Sequence, residues 1–282
     1  MPSFHLPDCH DTIRRALSED IGTGDVTTLF TVEPDLRAEA DFIAKQPGIV
    51  AGVEILRQTL LQLDPSIEFT VELEDGETAE AGDTIATARG QACALLTGER
   101  VALNFIQRLS GIATMTSQFV ALTAGSKARI VDTRKTTPGL RALEKYAVRV
   151  GGGRNHRFGL YDAILIKDNH ILAAGSIAAA VDRALGQASH TLSITVECDR
   201  LDQVREAVDA GADIVLLDNM SPEEMTEAIE LIDGQAMTEA SGRITLETVA
   251  AAAQSGIDLI SVGALTHSAP ALDISMDIRI IA

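Results

Sequence analysis

The stretch SITVECDRLDQVREAVDAGADIVLLDNMSPEEM, residues 193–225, decides the fold. It opens on a short run of β-branched and aliphatic residues, SITVE (193–197), and a second such run, DIVLL (213–217), follows one unit later. Between them Leu201, Val204 and Val208 recur at helical spacing, and Gly211 supplies the stop. After the second run Ser221 offers an N-cap, Pro222 the first helical position and Glu224 the far side of a capping box. The spacing therefore predicts a strand, a helix, a strand and a helix in succession.

The same pattern extends in both directions. Comparable runs occur at ARIVD (128–132), AILIK (163–167), AMTEA (236–240) and DLISV (258–262), and Thr245 is placed to cap a helix carrying Leu246, Val249 and Ala253 before Gly256. Repeated βα units with nearly continuous apolar strands imply a parallel sheet covered by helices. The expectation is a six- or seven-stranded α/β barrel, with an open doubly wound sheet second. No GxGxxG follows a strand, which disfavours the dinucleotide-binding version of the latter. The first hundred residues read differently. GIVAGVEIL (48–56) and IEFTVELEDGETAEAGDTIATARG (67–90) alternate and carry turn signals at Asp75-Gly76 and Gly82-Asp83, predicting antiparallel strands with helices at each end. A long helix from Leu95 to about Gly125, broken near Gly111, is expected to link the two regions. The DGE…AGD pattern resembles the hairpin of a biotin or lipoyl carrier, but its turn has no lysine to carry the group.

Composition narrows the function classes. At 282 residues and 46% hydrophobic content the chain can bury a sizeable core, and no apolar run reaches the roughly 18 residues of a membrane span. The N-terminal run MPSFHLPDCHDTIRRALSED lacks the basic-then-apolar layout of a secretory leader, so a cytoplasmic location is expected. Cys9, Cys93 and Cys198 are too scattered for a disulfide framework or a zinc site and read as reduced thiols. A net charge of -18, no tryptophan and 3% aromatic residues argue against nucleic-acid binding.

That acidity is interrupted once. Between Arg134 and His170 stand eight cations, Arg134, Lys135, Arg141, Lys145, Arg149, Arg154, Arg157 and Lys167, against Glu144, Asp162 and Asp168. A local positive field in an acidic protein selects small anions without attracting polyanions. Arg141, Lys145 and Arg149, spaced four apart, read as a solvated helix face; the others flank the glycines of GGGRNHRFG (151–159) or end an apolar run. Ligands of parallel α/β folds bind beyond the carboxyl ends of the strands. The residues there are Thr133-Arg134-Lys135, Lys167-Asp168-Asn169-His170, Glu197, Asp218-Asn219, Ser241-Gly242-Arg243 and Gly263-Ala264. Arginine forks and lysine point charges suit carboxylates and phosphates. Glu197 and Asp218 suit Mg²⁺, sugar hydroxyls or a developing cation.

The run DTRKTTPGLRALEKYAVRVGGGRNHRFGLYDAILIKDNHI (132–171) resembles the signature region of the quinolinate phosphoribosyltransferases. EDIGTGDVTT (19–28), LLTGERVALNFIQRLSGIAT (95–114), GADIVLLDNMSPEEM (211–225), EASGRITLE (239–247) and ISVGALTHSAPALDISM (260–276) are similar to further pieces of that family. The resemblance implies an N-terminal α/β sandwich over residues 1–112, joined by the tail 268–282, and an atypical open α/β barrel, TIM-like, over 113–267. It implies transfer of a phosphoribosyl group from 5-phosphoribosyl-1-diphosphate to quinolinate with Mg²⁺, giving nicotinate mononucleotide, CO₂ and diphosphate. By motif, Arg134, Lys135, His156, Arg157 and Lys167, with Thr133 beside them, would surround the two quinolinate carboxylates and nearby phosphates. Glu197 and Asp218 would face the ribose hydroxyls and the metal. Ser241, Gly242, Arg243, Gly263 and Ala264 would hold the 5′-phosphate, and Val262 is also expected among the substrate-binding residues. Lys135, Lys167, Glu197 and Asp218 are the residues expected to act on the reacting atoms. Arg100 is similar to a residue that reaches the neighbouring subunit's site, which implies a homodimer, open to assembly as a hexamer. His170 and His267 lie near these motifs without an assigned contact. Arg243 stands where the family often has glycine or asparagine, and Val150 where it often has cysteine. Two other classes stay open on the residues alone. One is a Schiff-base aldolase barrel using Lys167, the other a non-catalytic anion-binding protein. A relative acting on another nitrogenous acid is a third possibility.

Overall fold

Glycine, proline and capping side chains set the element boundaries in the computed structural model, which describes residues 6–281. The first five residues of the run read for a leader, and Ala282 at the end of the expected tail, lie outside the described residues. The chain divides into two units, and the barrel region is not contiguous. One unit holds the described residues up to Ser117, Thr136–Gly152 and the run from Thr266; the other holds Gln118–Lys135 and Gly153–Leu265. The loop and helix between the first two barrel strands thus belong with the N-terminal part rather than with the expected span 113–267.

The first unit opens with helices α1 (His10–Ile21) and α2 (Val26–Thr31), followed by strands β1 (Arg37–Ala44) and β2 (Gly48–Ile49). Helix α3 (Val53–Leu61), strands β3 (Glu68–Val71), β4 (Thr78–Ala79) and β5 (Thr84–Gln91), and the long helix α4 (Ala92–Leu122) complete its N-terminal part. Asp75, expected only as a turn residue, also caps α3. Its carboxylate accepts from the backbone N–H of Gly52 and Val53 at 2.9 and 3.0 Å. Helix α4 runs unbroken through Gly111, contrary to the expected break. That glycine answers to packing, because a β-carbon there would overlap the carbonyl oxygen of Pro270.

The barrel unit alternates strands and helices. Strand β6 (Arg129–Val131) is followed by helix α5 (Arg141–Val150), which belongs to the first unit, and then by β7 (Ile164–Ile166), α6 (Asp168–Ala174) and α7 (Ile177–Gln187). Next come β8 (Ile194–Cys198), α8 (Leu201–Asp209), β9 (Ile214–Asp218), α9 (Pro222–Ile232), β10 (Met237–Ser241), α10 (Val249–Gln254), β11 (Leu259–Ser261) and α11 (Ala264–His267). The parallel sheet has the order β6-β11-β10-β9-β8-β7. From β7 onward each strand lies beside its successor, and β6 joins the last strand, β11, as in a barrel with one seam left unpaired between β6 and β7. Along that seam Arg154 forms an isolated parallel bridge with Val131, its N–H donating to the Ile130 carbonyl at 2.9 Å. The architecture is therefore an open α/β barrel. Ser221 and Glu224 form the capping box expected at α9. Thr245 does not cap α10: its N–H bonds the Thr248 hydroxyl at 2.9 Å, so residues 245–248 form a turn and the helix starts at Val249.

The chain ends on β12 (Ile274–Ile281), which returns to the first unit and pairs antiparallel with β1 in the sheet β12-β1-β5-β3. Glu39 faces Arg279 of β12 on one side and Arg89 of β5 on the other, and its nearly buried carboxylate is ion-paired with both. Slippage of β12 would strand that charge, so the pairing fixes the register of the tail. Phe42, Leu56, Leu60, Ile85, Leu95 and Ile106 pack in the apolar core of this unit. The expected solvated face of α5 is overturned: Lys145 is 2% exposed, and Glu144 beside it is fully buried. Glu144 is engaged by Arg108 and by the Thr137 N–H, which is why charged residues are tolerated there. Among the described residues no helix is long and apolar enough to cross a membrane.

Candidate functional site

The carboxyl ends of the barrel strands open into a cavity of about 500 Å³. Eleven of the residues expected to hold the substrates line it, Thr133, Arg134, Lys135, His156, Arg157, Lys167, Glu197, Asp218, Ser241, Gly242 and Arg243, together with the expected strand-end residue Asn219. Its charged lining comprises Arg134, Lys135, Arg157, Lys167 and Arg243 against Glu197, Asp218 and Glu239. The surplus is positive, so the cavity suits an anionic ligand in spite of the acidic chain around it.

The cationic wall is held from below by a residue that the sequence reading gave no role. Asp132, fully buried at the end of β6, accepts from the Asn155 side chain at 2.6 Å and from the His156 N–H at 2.9 Å. This carboxylate folds the NHR segment against the strand end and turns His156 and Arg157 into the cavity. Arg157 donates to the Ala163 carbonyl at 3.1 Å, which leaves further guanidinium donors for a ligand. Burial, with Arg134 adding to it, holds the Arg157 guanidinium below its ordinary value. Its positive charge is poorly compensated, and a bound anion relieves that cost. The Thr133 hydroxyl accepts from the Lys135 N–H at 3.0 Å, so the TRK turn is folded on itself.

On the opposite strands, Lys167 is ion-paired with Glu197. His170 has a local structural role: its Nδ1 accepts from the Lys167 N–H at 3.0 Å, closing the first turn of α6. Asp218 accepts from the Asn219 side chain at 2.7 Å and stands opposite Ser241 in the sheet register. Asn219 and Arg243 both adopt positive φ, 58° and 51°, and Gly242 between the same loops has φ of 91°. A β-carbon on Gly242 would lie 2.9 Å from the Asn219 nitrogen, so only glycine fits where the two loops touch. The left-handed backbone at Arg243 also accounts for the glycine or asparagine expected there. A long cationic side chain held in that conformation is a local strain of the kind found at binding sites.

Four expected residues do not line this cavity. Arg100 belongs to the other unit and lines a cleft there with Asp20, Asp25, Val26 and Thr97. Val262 is buried in the sheet, its N–H bonded to the Val131 carbonyl at 2.9 Å, and Gly263 and Ala264 lie just beyond. Conversely, Leu165, Leu216, Glu239 and Ser261 line the cavity without having been anticipated. The missed signal is strand alternation: Glu239 lies two residues before Ser241 and shares its inward face. Cys198 ends β8 fully buried, and burial pushes its thiol up to about 12, so it is an unreactive core residue.

Residues 25–110 match the family description "Quinolinate phosphoribosyl transferase, N-terminal domain", and residues 112–277 match the corresponding C-terminal domain. The chain belongs to the quinolinate phosphoribosyl transferase family. Among curated members of this transferase family it is 50% identical over 262 residues to the "Probable nicotinate-nucleotide pyrophosphorylase [carboxylating]" of Bacillus subtilis (strain 168), covering 93% of this chain and 90% of that protein. It is 45% identical to the chloroplastic nicotinate-nucleotide pyrophosphorylase [carboxylating] of Arabidopsis thaliana, covering 98% and 84%. The crystal structure of NadC from Streptococcus pyogenes superposes with a TM-score of 0.96 at 41% identity, covering 99% of this chain and all of that one.

Proposed function

We propose that the protein joins quinolinate to 5-phosphoribosyl-1-diphosphate and decarboxylates the adduct, giving nicotinate mononucleotide, CO₂ and diphosphate in the synthesis of NAD. Family membership supports this reading. The observation that carries it in the molecule is the gathering of Arg134, Lys135, Arg157 and Lys167 opposite Glu197 and Asp218 in one cavity. A dianionic ring and a polyphosphorylated sugar repel each other. The cations offset that repulsion and hold the ring nitrogen against the anomeric carbon, so positioning supplies much of the rate. The carbon–nitrogen bond forms as the carbon–oxygen bond breaks, and diphosphate departs with the electron pair. Glu197 and Asp218 stabilise the positive charge that develops on the ribose. The electron pair released when the adjacent carboxylate leaves as CO₂ stays on that ring carbon, stabilised by the neighbouring cationic nitrogen, and takes up one proton there. Leu165 and Leu216 give the flat ring an apolar seat. Ser241, Gly242 and Arg243 grip the 5′-phosphate, with Val262, Gly263 and Ala264 on the neighbouring turn.

Mg²⁺ is typically held by one or two carboxylates together with substrate phosphates. Glu197 and Asp218, on adjacent strand ends, fit that requirement, while no group of three potential metal ligands occurs among the described residues. When bound, the ion neutralises diphosphate charge. An ion-paired Lys167 among further cations suits the holding of an acid, which favours this reading over a Schiff-base one.

A monocarboxylate forgoes about two charge-assisted hydrogen bonds, each contributing roughly 1.5–3 kcal/mol. Nicotinate is therefore expected to support diphosphate release at least ~100-fold more slowly than quinolinate in the presence of Mg²⁺. Coupled diphosphate assays on both acids measure it, and equal turnover refutes the proposed specificity.

The reading includes a homodimer in the cytoplasm, able to assemble further, in which Arg100 serves the partner's cavity. Arg100 is well exposed, and in the same cleft region α2 presents Val26, Leu29 and Phe30 at 60, 67 and 83% exposure, an apolar face that suits a second copy. Arg100→Ala and Lys135→Ala proteins, each inactive alone, are expected to regain about a quarter of the activity when mixed and allowed to exchange subunits, as random assortment leaves one intact site in half of the dimers. Absence of complementation in an exchanged sample contradicts the shared site.

A further inference from the structure

We propose that Glu239 is a positioning residue for the quinolinate-binding wall, setting the orientation of Arg157 through the proton on His156. The inference rests on the phosphoribosyl-transfer reading above and adds to it a residue that makes no contact of its own with the acid.

Glu239 is a carboxylate at 1% exposure on the inward face of β10, at the cavity floor. It shares a sheet row with Leu216 of β9, which in turn aligns with Glu197 of β8, so two carboxylates flank one leucine. Glu197 has Lys167 for a partner; no lysine or arginine pairs with Glu239 in the same way among the described residues. Its Oε1 accepts from the Ser261 hydroxyl at 2.5 Å and faces His156 Nε2 at 3.5 Å, and its Oε2 has no hydrogen-bond partner among the described residues. A buried carboxylate is costly to keep half satisfied. A glutamine of the same shape would avoid much of that cost, so the charge itself calls for an explanation.

The explanation lies in the imidazole. His156 Nδ1 is 2.7 Å from the backbone nitrogen of Arg157. A backbone N–H can only donate, so Nδ1 must offer its lone pair and the ring proton belongs on Nε2. A negative charge facing Nε2 favours that arrangement, because it attracts N–H and repels a lone pair. The order Ser261, Glu239, His156, Arg157 therefore runs as a chain of directed contacts from the end of β11 to the cationic wall. Asp132 fixes the backbone of the same histidine, and Ala163 holds the Arg157 guanidinium. Neutralising Glu239 removes the bias on the ring, frees the Arg157 N–H and lets its guanidinium drift. Ser241, Gly242 and Arg243, which grip the 5′-phosphate from the loop after β10, are not on this chain of contacts.

The test is a comparison of Glu239→Gln with the unaltered full-length protein under saturating Mg²⁺. If the unaltered protein fails to turn over quinolinate, the functional reading fails first. If it does turn over, the variant is expected to raise KM for quinolinate about tenfold, as for loss of one charge-assisted contact, with KM for 5-phosphoribosyl-1-diphosphate changed less than about twofold. An equal rise in both constants, or no change in either, overturns the proposal. Nitrogen-15 NMR of the unaltered protein gives an independent reading should the variant misfold. His156 is expected with Nε2 protonated and Nδ1 bare, and the opposite tautomer also overturns it.

Discussion

Lys167→Met is expected to lower kcat/KM for quinolinate about 100-fold or more while leaving the melting temperature within a few degrees. The substitution keeps the volume of the side chain and removes its charge. Two losses follow. The ring carboxylates lose a compact cation, a contact of roughly 1.5–3 kcal/mol when shielded. Glu197, only 18% exposed on its side chain, loses its ion-pair partner and adds its own repulsion to the incoming dianion. Lys167 is 43% exposed, so the discount for solvent screening keeps the figure near the lower end. Steady-state kinetics with each substrate varied decides it. A loss under threefold would remove Lys167 from the site, and trapping of the unaltered protein by borohydride with a carbonyl substrate would revive a Schiff-base role.

The largest effect on stability is expected at Arg108→Met, in the N-terminal unit. The Arg108 guanidinium donates to the fully buried Glu144 carboxylate at 2.8 Å, to the Thr266 carbonyl and to the Thr137 hydroxyl. Glu144 also accepts the Thr137 N–H at 3.0 Å, so this pair ties residues 137 and 144 to α4 and to the start of the returning tail. Removing one partner of a buried pair leaves an uncompensated charge and costs about 3–5 kcal/mol. For a chain of this size that corresponds to a fall in melting temperature of about 6–15 °C. Arg108→Met combined with Glu144→Leu should recover part of the loss, because the stranded carboxylate is gone. Thermal unfolding of the three proteins measures it; a double variant less stable than the single one contradicts the account.

The barrel was legible because each βα unit carries its own punctuation. Ser221, Pro222 and Glu224 mark the start of α9, and Gly211 marks the end of α8, through backbone requirements that act within a few residues. The strand ends were legible for the same reason, and the chemistry at those ends could be read one residue at a time. What escaped was set by contacts distant in sequence. Gly111 looked like a helix break, yet it is small because the Pro270 backbone passes over it. Lys145 looked like part of a solvated face, yet α5 is buried through its middle by packing that helical spacing does not encode. The roles of Asp132 and Glu239 carry no signal in the sequence because they act through Asn155, His156 and Ser261, and only the folded chain puts those partners beside them. Positive φ at Arg243 explains in one stroke why glycine or asparagine is expected there, which the motif showed only as a departure.

The central claim is that one cavity holds a dianionic ring and a phosphorylated sugar diphosphate together and couples their joining to loss of a carboxylate. It is tested most directly by following labelled CO₂ and diphosphate in the same reaction of quinolinate with 5-phosphoribosyl-1-diphosphate and Mg²⁺. The account predicts equal amounts of the two, neither appearing when either substrate is left out. Diphosphate release without matching CO₂, or CO₂ from quinolinate alone, would contradict it.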